Sequence, residues 1–112
     1  MYDDADPLLA DVRRVCLALP EAVEIEAWGQ PTFRAGPKGK MFAIFAGEGL
    51  IFKPEPAERD ALTTDPRFSV PAYYGPSGWL ALELSTPDWT EIAELVETSY
   101  RQVALKRQVK EL

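Results

Sequence analysis

At 112 residues, with 46% hydrophobic and 27% charged side chains, the chain is sized for one domain with a modest core. It has no histidine, which removes the commonest general base and metal ligand, and its single Cys16 excludes an internal disulfide and an ordinary zinc site. The net charge is −6, but residues 28–54 and 101–112 are basic islands of +3 each in a chain otherwise acidic.

Asp6-Pro7 marks a helix start, with Asp6 as cap and Pro7 in the first helical position. Leu8, Val12, Val15 and Leu19 then recur along one stripe, with Cys16 beside them as a small core residue, and the helix ends near Pro20. Arg13 and Arg14 face away from the stripe.

From Glu24 the period changes to two. Strands are expected over residues 24–28, 32–35, 40–46 and 50–53, separated by Gly29-Gln30-Pro31, Gly36-Pro37-Lys38-Gly39 and Gly47-Glu48. A two-residue loop at Gly47-Glu48 sets Phe45 opposite Leu50 and Ala43 opposite Phe52. Closing Gly36-Pro37-Lys38 as a three-residue loop sets Arg34 opposite Lys40 and Phe33 opposite Met41. One sheet face then carries Phe33, Met41, Ala43, Phe45, Leu50 and Phe52. The other carries Thr32, Arg34, Lys40, Phe42, Ile44, Ile51 and Lys53. In the first strand, Ile25 and Ala27 are expected inward, with Glu24, Glu26 and Trp28 on the second face.

Residues 56–63 fit a short helix anchored by Leu62. Residues 65–78 form a long loop containing Tyr73-Tyr74. Residues 79–84 alternate again, with Leu80, Leu82 and Leu84 inward and Trp79, Ala81 and Glu83 away. Thr86-Pro87-Asp88 opens a long helix, capped by Thr86, that runs to about Gln108. The order α-β-β-β-β-α-β-α implies a two-layer α+β domain: an antiparallel sheet of about five strands with helices on one face. No apolar run is long enough for a membrane span, and the acidic start is unlike a signal peptide, so the expected location is the cytoplasm.

Leu17-Ala18-Leu19-Pro20-Glu21, Trp28-Gly29-Gln30-Pro31-Thr32-Phe33-Arg34, Gly39-Lys40-Met41-Phe42-Ala43 and Gly78-Trp79-Leu80-Ala81-Leu82-Glu83-Leu84 form one set with Asp88-Trp89, Ser99-Tyr100 and Lys106-Arg107. The set resembles the MmcQ/YjbR family of small bacterial proteins and runs over nearly the whole chain. The resemblance implies a fold similar to frataxin-like and secretion-chaperone-like domains. Members are commonly described as DNA-binding, and no enzymatic activity or cofactor comes with the resemblance.

Gly36-Pro37-Lys38-Gly39-Lys40-Met41 fails as a phosphate loop, because Arg34 replaces the first glycine and Met41 the magnesium-holding hydroxyl. The candidate surface is the second sheet face: Arg34, Lys38, Lys40 and Lys53 for phosphates and Trp28, Phe42 and Trp79 for stacking, extended by Lys106 and Arg107. Two uses compete. The face binds DNA or another polyanion, or it is covered, by the chain itself or by a partner in a homodimer. Tyr73 and Tyr74 either flank a small-molecule pocket or pin the loop to the core. Glu24, Glu26 and Glu83 are positioned to neutralise Arg34 and Lys40.

Overall fold

The computed structural model describes residues 2–47 and 49–112. Helix α1 (Pro7–Cys16) leads into strands β1 (Val23–Ala27), β2 (Gln30–Arg34), β3 (Met41–Ala46) and β4 (Gly49–Phe52). Helix α2 (Pro56–Leu62), strand β5 (Phe68–Ser69), a 3₁₀ turn (Gly75–Ser77), strand β6 (Leu80–Leu82), helix α3 (Trp89–Val103) and a final turn α4 (Lys106–Val109) follow. The sheet is antiparallel throughout, in the order β1-β2-β3-β4-β6-β5. This is the expected two-layer α+β architecture with one strand more. The extra strand is β5, a two-residue piece inside the expected long loop that pairs Phe68 with Leu82.

The main core lies between the sheet and helices α1 and α3. Leu9, Val12, Val15 and Cys16 of α1 meet Ile92, Val96 and Tyr100 of α3 over Phe33, Ala43, Phe45, Leu50, Phe52, Leu80 and Leu82. Asp6 caps α1 by accepting from Leu8 N at 2.9 Å. On α1 the expected Val12, Val15 and Cys16 are buried together with Leu9, while Leu8 and Leu19 are partly buried against the same core. Helix α3 is capped by Asp88 rather than Thr86, its carboxylate accepting from Thr90 N and Glu91 N.

Between β3 and β4 the register is the expected one, with Ala43 opposite Phe52 and Phe45 opposite Leu50. The connecting turn includes Glu48, which lies outside the described residues. Between β2 and β3 the register departs from expectation. Phe33 pairs with Ala43 and Arg34 with Met41, so Phe42 is the extra residue of a β-bulge. The bulge turns Phe42 onto the helix side, where it is fully buried and meets Tyr100 edge-on at 5.3 Å. Met41 in consequence moves to the second face, against Ile44 and Trp79.

Ser99 holds this irregularity. Its hydroxyl donates to Phe42 O at 2.6 Å and accepts from Lys53 N at 2.9 Å, bridging the two strands where their ladder parts. Ser99 is fully buried, so Ser99→Ala strands a backbone acceptor and a backbone donor together. The expected loss is about 3 kcal/mol in urea unfolding at unchanged slope.

The chain ends on a second irregularity. The long helix stops at Val103, and Ala104 and Leu105 are extended before α4. The break lets Gln108 turn inward. It is 2% exposed, accepts from Leu105 N at 2.8 Å and donates to Ala35 O at 3.1 Å. Beside it, Arg107 forms an ion pair with Glu21. The Arg107 guanidinium, followed by the Gln108 amide, holds the Glu21 carboxyl below its usual range. Arg67 does the same for Asp65. Carboxylates depressed in the folded state stabilise it above their unfolded pKa of about 4, and that contribution is lost as pH falls through the folded value. The melting temperature should therefore hold down to about pH 5 and fall below about pH 4, and Glu21→Gln should flatten part of that fall.

Candidate functional site

The second sheet face is itself two-sided in character. Over β3, β4 and β6 it carries a smaller core of Ile44, Ile51, Trp79 and Ala81, with Met41, Ala46 and Tyr74 packed against it. The cover comes from the long loop. Tyr74 lies 6.2 Å from the Trp79 ring, and burial pushes its phenol pKa up. The loop is tied down by Gly75 N to Pro71 O at 2.8 Å and by Arg59, which donates to Gly75 O. Over β1 and β2 the face is half-exposed at Val23, Ile25, Ala27, Gln30 and Arg34.

The cover separates the two tyrosines by role. Tyr74 pins the loop, whereas Tyr73 is 84% exposed, with its ring 5.2 Å from that of Tyr74. Across from it stands Trp28, 75% exposed at the β1–β2 turn. Ala27 pairs with Gln30, so the turn is a two-residue loop of Trp28 (φ 54°) and Gly29 (φ 75°). Such loops need positive φ at both positions, which suits Asn-Gly. A bulky L-residue there costs about 1 kcal/mol. A strained and exposed indole points to a use other than stability.

Two clefts meet at Trp28. One, of about 400 Å³, is lined by Trp28, Gln30, Ile51, Tyr73 and Tyr74. The other, of about 830 Å³, runs past Tyr2, Asp3, Asp6, Phe45 and Glu83. No lysine or arginine lines either cleft among the described residues. Neither Asp3, Asp6, Glu26 nor Glu83 forms an ion pair among the described residues. The Glu83 carboxyl is held below its usual range by Ser85, which donates to it through both hydroxyl and backbone.

The expected basic and aromatic set is divided among several places. Arg34 lies on the second face opposite Met41, and Lys53 lies just past β4, its N–H and C=O bonded to Ser99 and Gln102 of α3. Lys40 does not join Arg34. It pairs with Ala35, whose N–H donates to Lys40 O at 3.0 Å, and Ala35 belongs to the helix-side core. Directly opposed residues share a face, so the bulge sends Lys40 and Arg34 to opposite sides. Lys38 is exposed in the β2–β3 turn. Phe42 is buried under Tyr100 and Trp79 is only 8% exposed, so neither offers a ring for stacking. Lys106 and Arg107 stand at the helix-side end of the chain, where Arg107 is paired with Glu21.

The acidic set is corrected as well. Glu24 pairs with Phe33 in register and sits on the helix side, where Arg13 of α1 binds it at 2.7 Å and Asp4 at 2.5 Å. Arg13 thus turns inward to satisfy a strand carboxylate. Glu26 accepts from the Tyr2 hydroxyl at 2.8 Å. The strand's apolar residues, Ile25 and Ala27, therefore face the second side, opposite to the expected parity. The expected neutralisation of Arg34 and Lys40 by Glu24 and Glu26 does not arise.

Cys16 is fully buried, and burial drives its thiol pKa well above the ordinary range. No group of three or more acidic or cysteine side chains is placed to hold a metal ion among the described residues. No helix among them is long and apolar enough to cross a membrane.

The fold has a solved counterpart in Deinococcus radiodurans protein DR2400, a DUF419 domain protein. The two superpose with a TM-score of 0.76 over 92% of this chain and 86% of that one, at 24% sequence identity. A comparison with curated proteins finds no match. The YjbR family model matches residues 17–102, which span β1 to most of α3 and include both Trp28 and the Tyr73 loop. The chain belongs to the YjbR family.

Proposed function

We propose that the chain is a non-enzymatic binding module that docks a partner protein at the Trp28 corner of its second sheet face. The observation that carries this reading is Trp28 itself, held at φ 54° and 75% exposed where two clefts meet. Tryptophan is enriched among the residues that anchor protein interfaces. Tyr73 supplies a second aromatic wall across the smaller cleft. Cys16 is fully buried and the chain has no histidine, so the charged groups beside Trp28 are the carboxylates of Asp3, Asp6 and Glu83.

A DNA or polyanion reading has one observation in its favour: Arg34 falls on the same face as the smaller cleft, and Lys53 follows directly on β4. A single strand could stack a base on Trp28 and place phosphates on these cations. Against it stand the net charge of −6 and the carboxylates of the larger cleft. A homodimer through Trp79 is disfavoured by the burial of that ring, so a dimer would have to form through Trp28.

The test compares wild type, Trp28→Gly and the Arg34→Ala/Lys53→Ala double variant. Protein docking predicts that a partner captured by wild type is lost with Trp28→Gly and kept by the double variant. A labelled single-stranded oligonucleotide should bind none of them tightly. Oligonucleotide binding that weakens steeply with salt and disappears in the double variant would replace this reading with the nucleic-acid one.

A further inference from the structure

We infer that the Trp28 corner accepts an extended, basic segment of a partner protein, added as a strand to the free edge of β1. The inference rests on the protein-docking reading above and names the chemistry of the partner. Strand β1 is the end strand of the sheet. Beyond its ladder with β2, its five residues make no further backbone–backbone hydrogen bond among the described residues, and the one added contact is the Thr32 hydroxyl donating to Ile25 O, on the β2 side. The edge carries no proline or lysine, and its two charged residues are Glu24, which is drawn inward by Arg13, and Glu26, an acidic group that a basic strand would offset. An extended segment can therefore satisfy those backbone groups, as in other edge-adding complexes.

Side-chain chemistry fixes the kind of segment. Val23, Ile25 and Ala27 form a half-exposed apolar row on the second face, continuous in the sheet with Thr32 and Ile44. One side of an added strand would cover that row and reach the cleft between Trp28 and Tyr73. Residues on its other side would meet Glu26, whose only hydrogen bond among the described residues is from Tyr2. Past the turn lie Asp3, Asp6 and Glu83 in the larger cleft. Residues 1–27 carry two basic and seven acidic groups, and Arg13 is already held by Glu24 and Asp4, while Arg34 stands opposite Val23, at the end of the row away from Trp28. The complementary segment alternates apolar residues with lysine or arginine. An acidic strand would bring like charges together along its length.

The test titrates the ¹⁵N-labelled full chain with a short blocked peptide alternating lysine with valine, and with its glutamate–valine counterpart. The expected result is that the Trp28 indole and the β1 amides shift with the lysine peptide, at least about tenfold more tightly than with the glutamate peptide. Added salt and the Asp3→Asn/Glu83→Gln double variant should both weaken binding, with amide dispersion confirming that the variant is folded. Equal response to both peptides overturns the basic-partner inference and leaves docking at Trp28 standing. A Trp28 indole unmoved by either peptide but moved by an oligonucleotide overturns both. Concentration-dependent shifts of β1 without any peptide would assign the edge to a second copy and overturn the inference.

Discussion

Phe42→Ala is expected to remove about 4 kcal/mol of stability, the scale of a fully buried phenylalanine. Simple strand alternation gives a different outcome. It leaves Phe42 on the partly exposed second face, where truncation costs about 1 kcal/mol or less. The bulge decides between them. With Phe33 opposite Ala43 and Arg34 opposite Met41, Phe42 has no partner across the ladder and rotates under α3. There it loses the edge-on contact with Tyr100 as well as its buried area. Urea unfolding of Phe42→Ala and Met41→Ala side by side measures the contrast, since Met41 is only half-buried. A larger loss at Met41 than at Phe42 would contradict the bulge.

Trp28→Gly is expected to act in the opposite sense on stability and to be the most damaging change for binding. Glycine adopts positive φ without a steric penalty, so the variant should be as stable as wild type or up to about 1 kcal/mol more stable. Partner binding should weaken by about 2 kcal/mol or more, roughly thirtyfold in Kd, as for a central aromatic anchor. A residue that lowers stability and supports binding is the pattern of a functional site. Thermal unfolding checks the first effect and calorimetry with the captured partner the second. A Trp28→Gly chain that is destabilised by more than about 1 kcal/mol and binds normally would make the indole structural.

The parts of the fold legible in the sequence are those fixed by local rules. Gly47 and the apolar alternation around it set the β3–β4 register, and Leu80, Leu82 and Leu84 announce their face by their spacing. What the sequence hides depends on contacts far apart in the chain. The bulge at Phe42 requires the Ser99 hydroxyl and the Tyr100 ring, both more than fifty residues away. The parity of β1 inverts because Arg13 comes inward to meet Glu24, against the ordinary expectation that a charged strand residue points to solvent. The end of α3 is set by the Gln108 side chain reaching Ala35, seventy-three positions earlier.

The candidate site follows the same division. Trp28 is a candidate by alternation along the expected first strand, whereas the structure places it in the β1–β2 turn. Its exposure has a local cause, the two positive φ angles of Trp28-Gly29. Trp79 and Phe42 were indistinguishable from it by alternation alone. One is covered by a loop whose path no periodicity encodes, the other is turned over by the bulge. Tyr73 and Tyr74 are adjacent in sequence yet divide between exposed wall and buried pin, because the loop that carries them is tied down at Gly75.

The measurement that bears most directly on this account is hydrogen exchange at the indole Nε1–H groups of the three tryptophans, followed by NMR. Trp28 should exchange fast, near the rate of a free indole, while Trp79 should be protected until the loop or the whole domain opens. A protected Trp28 together with a freely exchanging Trp79 would return the recognition surface to the middle of the sheet and contradict the account.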